Sequence, residues 1–216
     1  MFAFHKITSN YSSTFDVYQK TLDMKQVLSL LTLMFFFSCG REAQIASPNA
    51  IAMGIPSIDF YSLKTKTIDG ELFSFSSLKG KRVLIVNTAS RCGYTPQYKD
   101  LERLYRMYGG DNFTIIGFPS NDFAWEEPGS DQEIAAFCKS RYDVTFPMMT
   151  KVKTSGSSGH EVYQWLCNLE RNGVADARVS WNFNKFLIDE NGRWAAHFQS
   201  STSPMSMEIT TFASGK

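Results

Sequence analysis

KRVLIVNTASRCGYTPQYKDLERLYRMYGGDNFTIIGFPS, residues 81–120, predicts two buried strands with a helix between them. KRVLIVNTA and NFTIIGFPS are apolar and rich in β-branched residues, which is typical of strands covered on both faces. The helix between them ends before Gly109 and Gly110 and has one apolar stripe. That stripe comprises Tyr98, Leu101, Leu104 and Tyr108. This alternation predicts an α/β fold with a central, partly parallel sheet covered by helices.

The flanking sequence supplies the remaining elements. DFYSLKTKTIDGELFSF predicts an N-terminal β-hairpin turning at Asp69-Gly70, and FNKFLIDENGRWAAHF predicts a second hairpin turning at Asn191-Gly192. SDQEIAAFCKSRY opens with a capping box of Ser130 and Glu133 and predicts a helix. The inward residues of this helix are Ile134, Phe137 and Cys138. Two further helices are predicted for EVYQWLCNLERN and SPMSMEITTF, and the sequence contains no internal repeats.

Composition excludes several function classes. The chain has 216 residues and a formal charge of +1, without a basic stripe interleaved with aromatics, so we expect no nucleic-acid partner. Its four cysteines are too scattered for a disulfide framework. Its three histidines stand far apart and no Cys-x-x-Cys occurs, so we expect no metal and no other cofactor.

The N-terminal region predicts secretion and lipid anchoring. MKQVLSLLTLMFFFSCG, residues 24–40, has one lysine and an apolar stretch too short to span a bilayer, which is typical of a secretory signal. Cys39 after a small residue resembles the lipidated cysteine of bacterial lipoproteins, although Phe36 stands where such signals favour leucine. The alternative is an N-terminal helix with an incidental Cys39. We therefore predict a leader over 1–38, a natural start at Met24, and a lipoprotein anchored in the bacterial periplasm.

The small, Pro- and Gly-punctuated residues 39–56 suit a tether, and the folded domain is predicted over 57–216. Within that domain Cys92 is a candidate nucleophile, because it stands between a buried strand and a helix, where free N–H groups favour a thiolate. Arg91 adds positive charge, and Gly93 permits close approach of a substrate. The alternative is an inert core cysteine. A redox pair in Cys-x-x-Cys spacing is excluded, since its second position is Thr95.

Four blocks of the sequence resemble the signatures of the glutathione peroxidase family, in the order of that family. They are NTASRCGYT, GFPSNDFAWEEPGS, FCKSRYDVTFP and WNFNKFLID, within a similarity over about residues 58–212. The resemblance implies a thioredoxin-like fold and the reduction of hydrogen peroxide or organic hydroperoxides. It places Cys92 at the peroxidatic position, with Trp181 and Asn182 as catalytic partners. An indole N–H and an amide can donate hydrogen bonds to a thiolate and a peroxide oxygen.

One block departs from the family. Where the family reads FPCNQF and then a second glutamine, this chain has Ser120, Asp122 and Glu126, and Glu126 matches the catalytic glutamine. A carboxylate at about 4 Å would repel the thiolate by roughly 4 kcal/mol at an effective dielectric of 20. That repulsion is equivalent to a rise of about three in the pKa of the thiol. We therefore expect Glu126 either to be protonated or to turn toward solvent.

The resemblance also implies a second sulfur. Cys138 matches the resolving cysteine of family members that use thioredoxin, although its helix would have to unwind locally before the two cysteines could bond. Cys167 is interpreted as core packing. We expect a Cys92-Cys138 disulfide reduced by a thioredoxin-like partner, and a monomer, since only 14 residues separate Leu166 from Trp181. Two alternatives stay open: glutathione as the reductant, and a redox sensor or relay with little turnover.

Overall fold

The computed structural model describes residues 44–45 and 54–216. The strands are β1 Gln44–Ile45, β2 Lys64–Lys66, β3 Leu72–Ser74, β4 Arg82–Thr88, β5 Phe113–Pro119, β6 Lys185–Ile188 and β7 Trp194–Phe198. The helices are α1 Gln97–Tyr108, α2 Asp131–Tyr142, α3 Glu161–Cys167, α4 Leu169–Asn172 and α5 Met207–Ser214. The predicted signal, Cys39 and most of the predicted tether lie outside the described residues.

The central sheet is mixed, and its strands run in the order β1-β7-β6-β4-β5. β4 and β5 are parallel, while β6 is antiparallel to both β4 and β7. β1, which falls within the predicted tether, pairs with β7 at one edge. The N-terminal hairpin of β2 and β3 forms a separate sheet. The α/β, thioredoxin-like fold class is therefore confirmed.

Side chains of β4 alternate between two apolar layers. Leu84 and Val86 pack with α1, α2 and α5, while Val83 and Ile85 pack on the opposite face with α3 and the N-terminal segment. Every residue of β5 is buried, as its apolar sequence predicts. Each fully buried aliphatic side chain contributes about 1.5–3 kcal/mol, so the two layers fix the sheet between its helices.

The helices follow their sequence signals closely, with one difference. The Ser130–Glu133 capping box is present at α2, where only Ile134 and Cys138 are fully buried and Phe137 is half-buried. EVYQWLCNLERN forms two helices instead of one, because the Asn168 side chain accepts a hydrogen bond from Arg171 N–H and starts α4. Within residues 54–216, none of the helices has the length and apolarity needed to cross a membrane.

Candidate active site

The candidate site lies at one edge of the central sheet. Cys92 follows β4, and Glu126 follows the neighbouring parallel strand β5, so both leave the sheet at the same edge. Asn182 precedes β6, which is antiparallel to β4 and therefore begins where β4 ends. Ligand sites of open α/β sheets form at this edge. The topology thus brings together three residues that are far apart in the sequence.

Cys92 sits in a tight turn and is only 7% exposed. Its N–H donates to Thr95 Oγ1 at 2.9 Å, and the Thr95 hydroxyl donates to Ala89 O at 2.8 Å. Thr95 N–H also donates to Cys92 O at 3.0 Å. Thr95, at the position where a second sulfur would stand in Cys-x-x-Cys, therefore fixes the backbone of the cysteine.

The groups around the Cys92 thiol shift its pKa in opposite directions. Burial is the largest effect and raises its pKa, the Tyr94 N–H at 3.4 Å lowers it, the Glu126 carboxyl raises it, and the Asn182 amide lowers it. The net shift is upward, contrary to the expectation from the helix start alone. The physical reason is burial, which outweighs the hydrogen bonds that favour the thiolate; α1 itself begins only at Gln97, five residues after Cys92. Arg91 is exposed and does not compensate.

Glu126 and Asn182 meet beside the Cys92 sulfur. Asn182 is fully buried, and its Nδ2 donates to Glu126 Oε2 at 2.8 Å. Both side chains shift the pKa of the Cys92 thiol, Glu126 upward and Asn182 downward. Glu126 is half-buried and does not turn toward solvent, which was one of the two alternatives expected for it.

Strained backbone holds these two residues in place. Ala124 and Trp125, immediately before Glu126, have φ of 51° and 54°, and Phe183, immediately after Asn182, has φ of 61°. Non-glycine residues adopt such angles at a cost of about 1–3 kcal/mol and cluster at functional sites. The strain lies on both segments that aim side chains at Cys92.

Trp181 is next to the site but less enclosed. It is 36% exposed, and its ring packs against Phe123 with the centroids 5.8 Å apart. Among the described residues, no hydrogen bond joins its indole to Cys92. Its carbonyl accepts hydrogen bonds from Asn87 Nδ2 at 3.0 Å and Asn184 Nδ2 at 2.8 Å.

Two of the departures from the family have a structural role. Asp122 Oδ2 accepts hydrogen bonds from Thr154 N–H at 2.6 Å and Ser155 N–H at 3.0 Å, and from both hydroxyls. Ser120 adds a contact to the Thr154 hydroxyl at 3.3 Å. Together they fix the loop that precedes α3.

Cys138 lies on the buried side of α2, in the same apolar layer as Cys92. It is 2% exposed, and burial raises its pKa to about 11, with the Tyr98 hydroxyl lowering it and the Glu127 charge raising it further. Cys167 is half-buried at the end of α3 and borders a cavity of about 630 Å³. Burial also raises its pKa to about 11.

The sequence interpretation missed the polar residues behind the site. Asn87 accepts hydrogen bonds from Asn184 N–H at 2.9 Å and Phe183 N–H at 2.6 Å, and so clamps the loop that carries Asn182. Lys185 is fully buried, with Nζ donating to Phe183 O at 2.7 Å. In the sequence, Asn87 and Lys185 each stand out as a polar residue within an otherwise apolar strand.

The chemistry that this arrangement supports follows from its groups. Cys92 can act as a nucleophile, and the Asn182 amide can stabilise an anion that forms beside it. Among the described residues, no group of three or more His, Cys, Asp or Glu side chains is placed to hold a metal ion.

Comparison with known proteins gives consistent matches. The profile of the family described as Glutathione peroxidase matches residues 60–167. Glutathione peroxidase-like peroxiredoxin 2 of Saccharomyces cerevisiae is 48% identical over 69% of this chain and 92% of its own length. Hydroperoxy fatty acid reductase gpx1 of Synechocystis is 39% identical over 67% of this chain and 88% of its own length.

A solved structure shares the fold at lower identity. The thiol:disulfide interchange protein of the thioredoxin family from Chlorobium tepidum is 20% identical, with a TM-score of 0.54. The alignment covers 73% of this chain and 97% of that chain. The resemblance at this level concerns the fold alone.

Proposed function

This chain belongs to the glutathione peroxidase family and is a peroxidase that reduces hydroperoxides, and on that premise we propose that Cys92 is its peroxidatic cysteine. The observation that carries the proposal is the convergence of Cys92, Glu126 and Asn182 at one sheet edge. Trp181 completes the proposed catalytic group from the rim of the site.

In the first step, the Cys92 thiolate attacks one peroxide oxygen and the O–O bond breaks. One oxygen stays on Cys92 as a sulfenic acid, and the other leaves as water or an alcohol after taking a proton. The Asn182 amide donates toward the developing negative charge, and the Tyr94 N–H holds the sulfur.

In the second step, Cys138 displaces the sulfenic oxygen and forms a Cys92-Cys138 disulfide. α2 carries Cys138 and has two fully buried side chains, Ile134 and Cys138 itself, with Phe137 and Tyr142 half-buried against the core. A helix with few fully buried residues opens locally at a lower cost than the central strands. Local opening of α2 would bring the two sulfurs within bonding distance.

The intramolecular disulfide favours a thioredoxin-like dithiol protein as reductant, because thiol–disulfide exchange with two adjacent thiols releases both sulfurs. Glutathione is the rival reductant and would leave Cys138 idle. The substrate class includes organic hydroperoxides in addition to hydrogen peroxide, in line with the name of the Synechocystis relative.

Parallel peroxidase assays test this function. The wild-type protein and Cys138→Ser are given hydrogen peroxide or a fatty-acid hydroperoxide, with thioredoxin plus its reductase or with glutathione. Turnover with thioredoxin that Cys138→Ser lacks supports the proposal. Equal turnover of both proteins with glutathione supports the rival. A wild type that is slow with both reductants but traps a mixed disulfide with another protein indicates a sensor or relay.

The location and assembly proposed for the enzyme rest on sequence. The signal-like stretch ending at Cys39 supports a lipoprotein tethered to a membrane of the bacterial periplasm. The short segment between Leu166 and Trp181 supports a monomer. Both belong to the proposal.

A further inference from the structure

Buried side chains hold the turn that carries Asn182. Residues 181–184 form this turn directly before β6. Three successive carbonyl groups of the turn each accept a hydrogen bond from a buried side chain. The pairs are Asn184 Nδ2 with Trp181 O at 2.8 Å, Ser200 Oγ with Asn182 O at 2.5 Å, and Lys185 Nζ with Phe183 O at 2.7 Å. The backbone of the turn is therefore fixed at each of its first three residues.

Phe183 shows why the turn needs this support. Its φ of 61° lies in the left-handed region, which is unfavourable for a residue with a side chain. Such a conformation persists only where the surrounding structure enforces it. Asn182 directly precedes Phe183, so relaxation of the strained residue would also reorient Asn182. The hydrogen bonds to the turn therefore bear on the aim of the Asn182 side chain.

Ser200 is the residue that binds the carbonyl of Asn182 itself. Its hydroxyl donates its one proton to Asn182 O at 2.5 Å and accepts a hydrogen bond from Asn184 Nδ2 at 3.1 Å. The carbonyl of Ser200 accepts a hydrogen bond from Gln97 Nε2 at 2.7 Å, and Gln97 is the first residue of α1. Ser200 is therefore held by two other segments of the chain and offers Asn182 a fixed point of attachment.

The Asn182 amide is sensitive to small displacements. Its Nδ2 donates to Glu126 Oε2 at 2.8 Å, and the same amide lowers the pKa of the Cys92 thiol. A hydrogen bond weakens steeply when its angle departs far from linearity. Misplacement of a catalytic group by about 1 Å can cost about 100-fold in rate. The attachment of the Asn182 backbone therefore bears on the peroxide step as well as on stability.

We infer that Ser200 is a positioning residue for the peroxide step, because its hydroxyl fixes the carbonyl of Asn182 and so aims the Asn182 amide at the reacting sulfur. The inference rests on the proposed role of Asn182 beside a peroxidatic Cys92. The Ser200 hydroxyl is bonded to Asn182 and Asn184, so its effect on the reaction passes through Asn182.

A double-mutant cycle tests the inference. Ser200→Ala removes the hydroxyl, and the control Ser201→Ala removes that of the next serine, which is exposed. Each is made in the wild type and in Asn182→Ala, which keeps the carbonyl that Ser200 binds but lacks the amide. Three quantities are measured: the pKa of Cys92 from alkylation across pH, the rate of sulfenic acid formation with hydrogen peroxide from dimedone trapping, and the urea midpoint.

We expect Ser200→Ala to slow sulfenic acid formation at pH 7 about tenfold, less than the loss from a full 1 Å displacement. The pKa of Cys92 should rise by about 0.5–1, because the amide that lowers it is no longer aimed. In the Asn182→Ala background, Ser200→Ala should change neither quantity further, whereas the urea midpoint should fall in both backgrounds. Ser201→Ala should match its parent protein in all three.

The cycle separates positioning from stability. An unchanged rate and an unchanged Cys92 pKa in Ser200→Ala overturn the inference, whatever happens to the urea midpoint. An equal change with and without the Asn182 amide also overturns it, because Ser200 then acts by another route. If wild-type Cys92 does not react with peroxide, the proposed function fails, while the alkylation pKa still decides the inference. Should Ser200→Ala not fold, Ser200→Cys, with a weaker donor of similar size, is judged by the same criteria.

Discussion

Replacing Glu126 by glutamine changes one charge at the sulfur of Cys92 and little else. Asn182 Nδ2 donates to Glu126 Oε2 at 2.8 Å, and a glutamine oxygen can accept the same hydrogen bond. The new amide can also donate a hydrogen bond to the thiolate, which a carboxylate cannot do. Since Glu126 raises the pKa of Cys92 both by its charge and by its contact with the sulfur, we expect Glu126→Gln to lower that pKa.

The size of the change follows from Coulomb's law. At about 4 Å, the repulsion is roughly 4 kcal/mol at an effective dielectric of 20 and about 1 kcal/mol in bulk water. Because Glu126 is half-buried, an intermediate value of about 1–3 kcal/mol applies, which lowers the pKa of Cys92 by about one to two. A thiolate of lower pKa is also less nucleophilic, so the peroxide rate at pH 7 should rise only about three- to tenfold.

Alkylation of Cys92 across pH measures the change directly. The Cys92 peptide is followed by mass spectrometry in wild type, Glu126→Gln and the control Glu133→Gln, alongside the rate of peroxide consumption. The control removes an exposed carboxyl at the start of α2. Its thiol pKa and rate should match those of the wild type.

The reasoning is refuted if the pKa of Cys92 rises in Glu126→Gln. Such a result would mean that the carboxylate helps the thiol to ionise, for example by accepting its proton. An unchanged pKa would equally contradict repulsion, because it would show that Glu126 is uncharged when Cys92 ionises.

Three further predictions address the nucleophile, the anchor and the buried lysine. Cys92→Ser should consume no peroxide while Cys167→Ser retains activity, and turnover in the Cys92 variant would contradict the mechanism. A fatty-acid label should enter the wild type but not Cys39→Ala, and equal labelling of the two would exclude lipidation there. Burial lowers the pKa of Lys185 from 10.5 to about 7, so the unfolded chain binds more protons between these values. The free energy of unfolding should therefore rise by about 1.4 kcal/mol per unit from pH 7 to 9, and urea titrations of Lys185→Met should lose that slope.

Much of the fold could be predicted because its signals are local. The alternation and β-branching of residues 82–88 and 113–119 reflect burial on both faces, and the hairpin at Asp69-Gly70 follows from turn geometry. The division at Asn168 was missed, since a side chain that caps a second helix competes with a continuous helical pattern. β1 was missed because a two-residue edge strand carries too few residues for any period to show.

The sequence by itself determined the identity of the nucleophile candidate, its family and the carboxyl at position 126. Only the tertiary structure decided the electrostatic outcome, because the pKa of Cys92 depends on burial and on groups 34 and 90 residues away. The turn held by Thr95 separates Cys92 from α1, which begins only at Gln97, and burial of the thiol outweighs the groups that favour the thiolate. The groups that shift the pKa of Cys138 come from α1 and the loop after β5, and no spacing in the sequence brings Tyr98 and Glu127 together. Sheet topology does so, because parallel neighbouring strands deliver their following segments to the same edge.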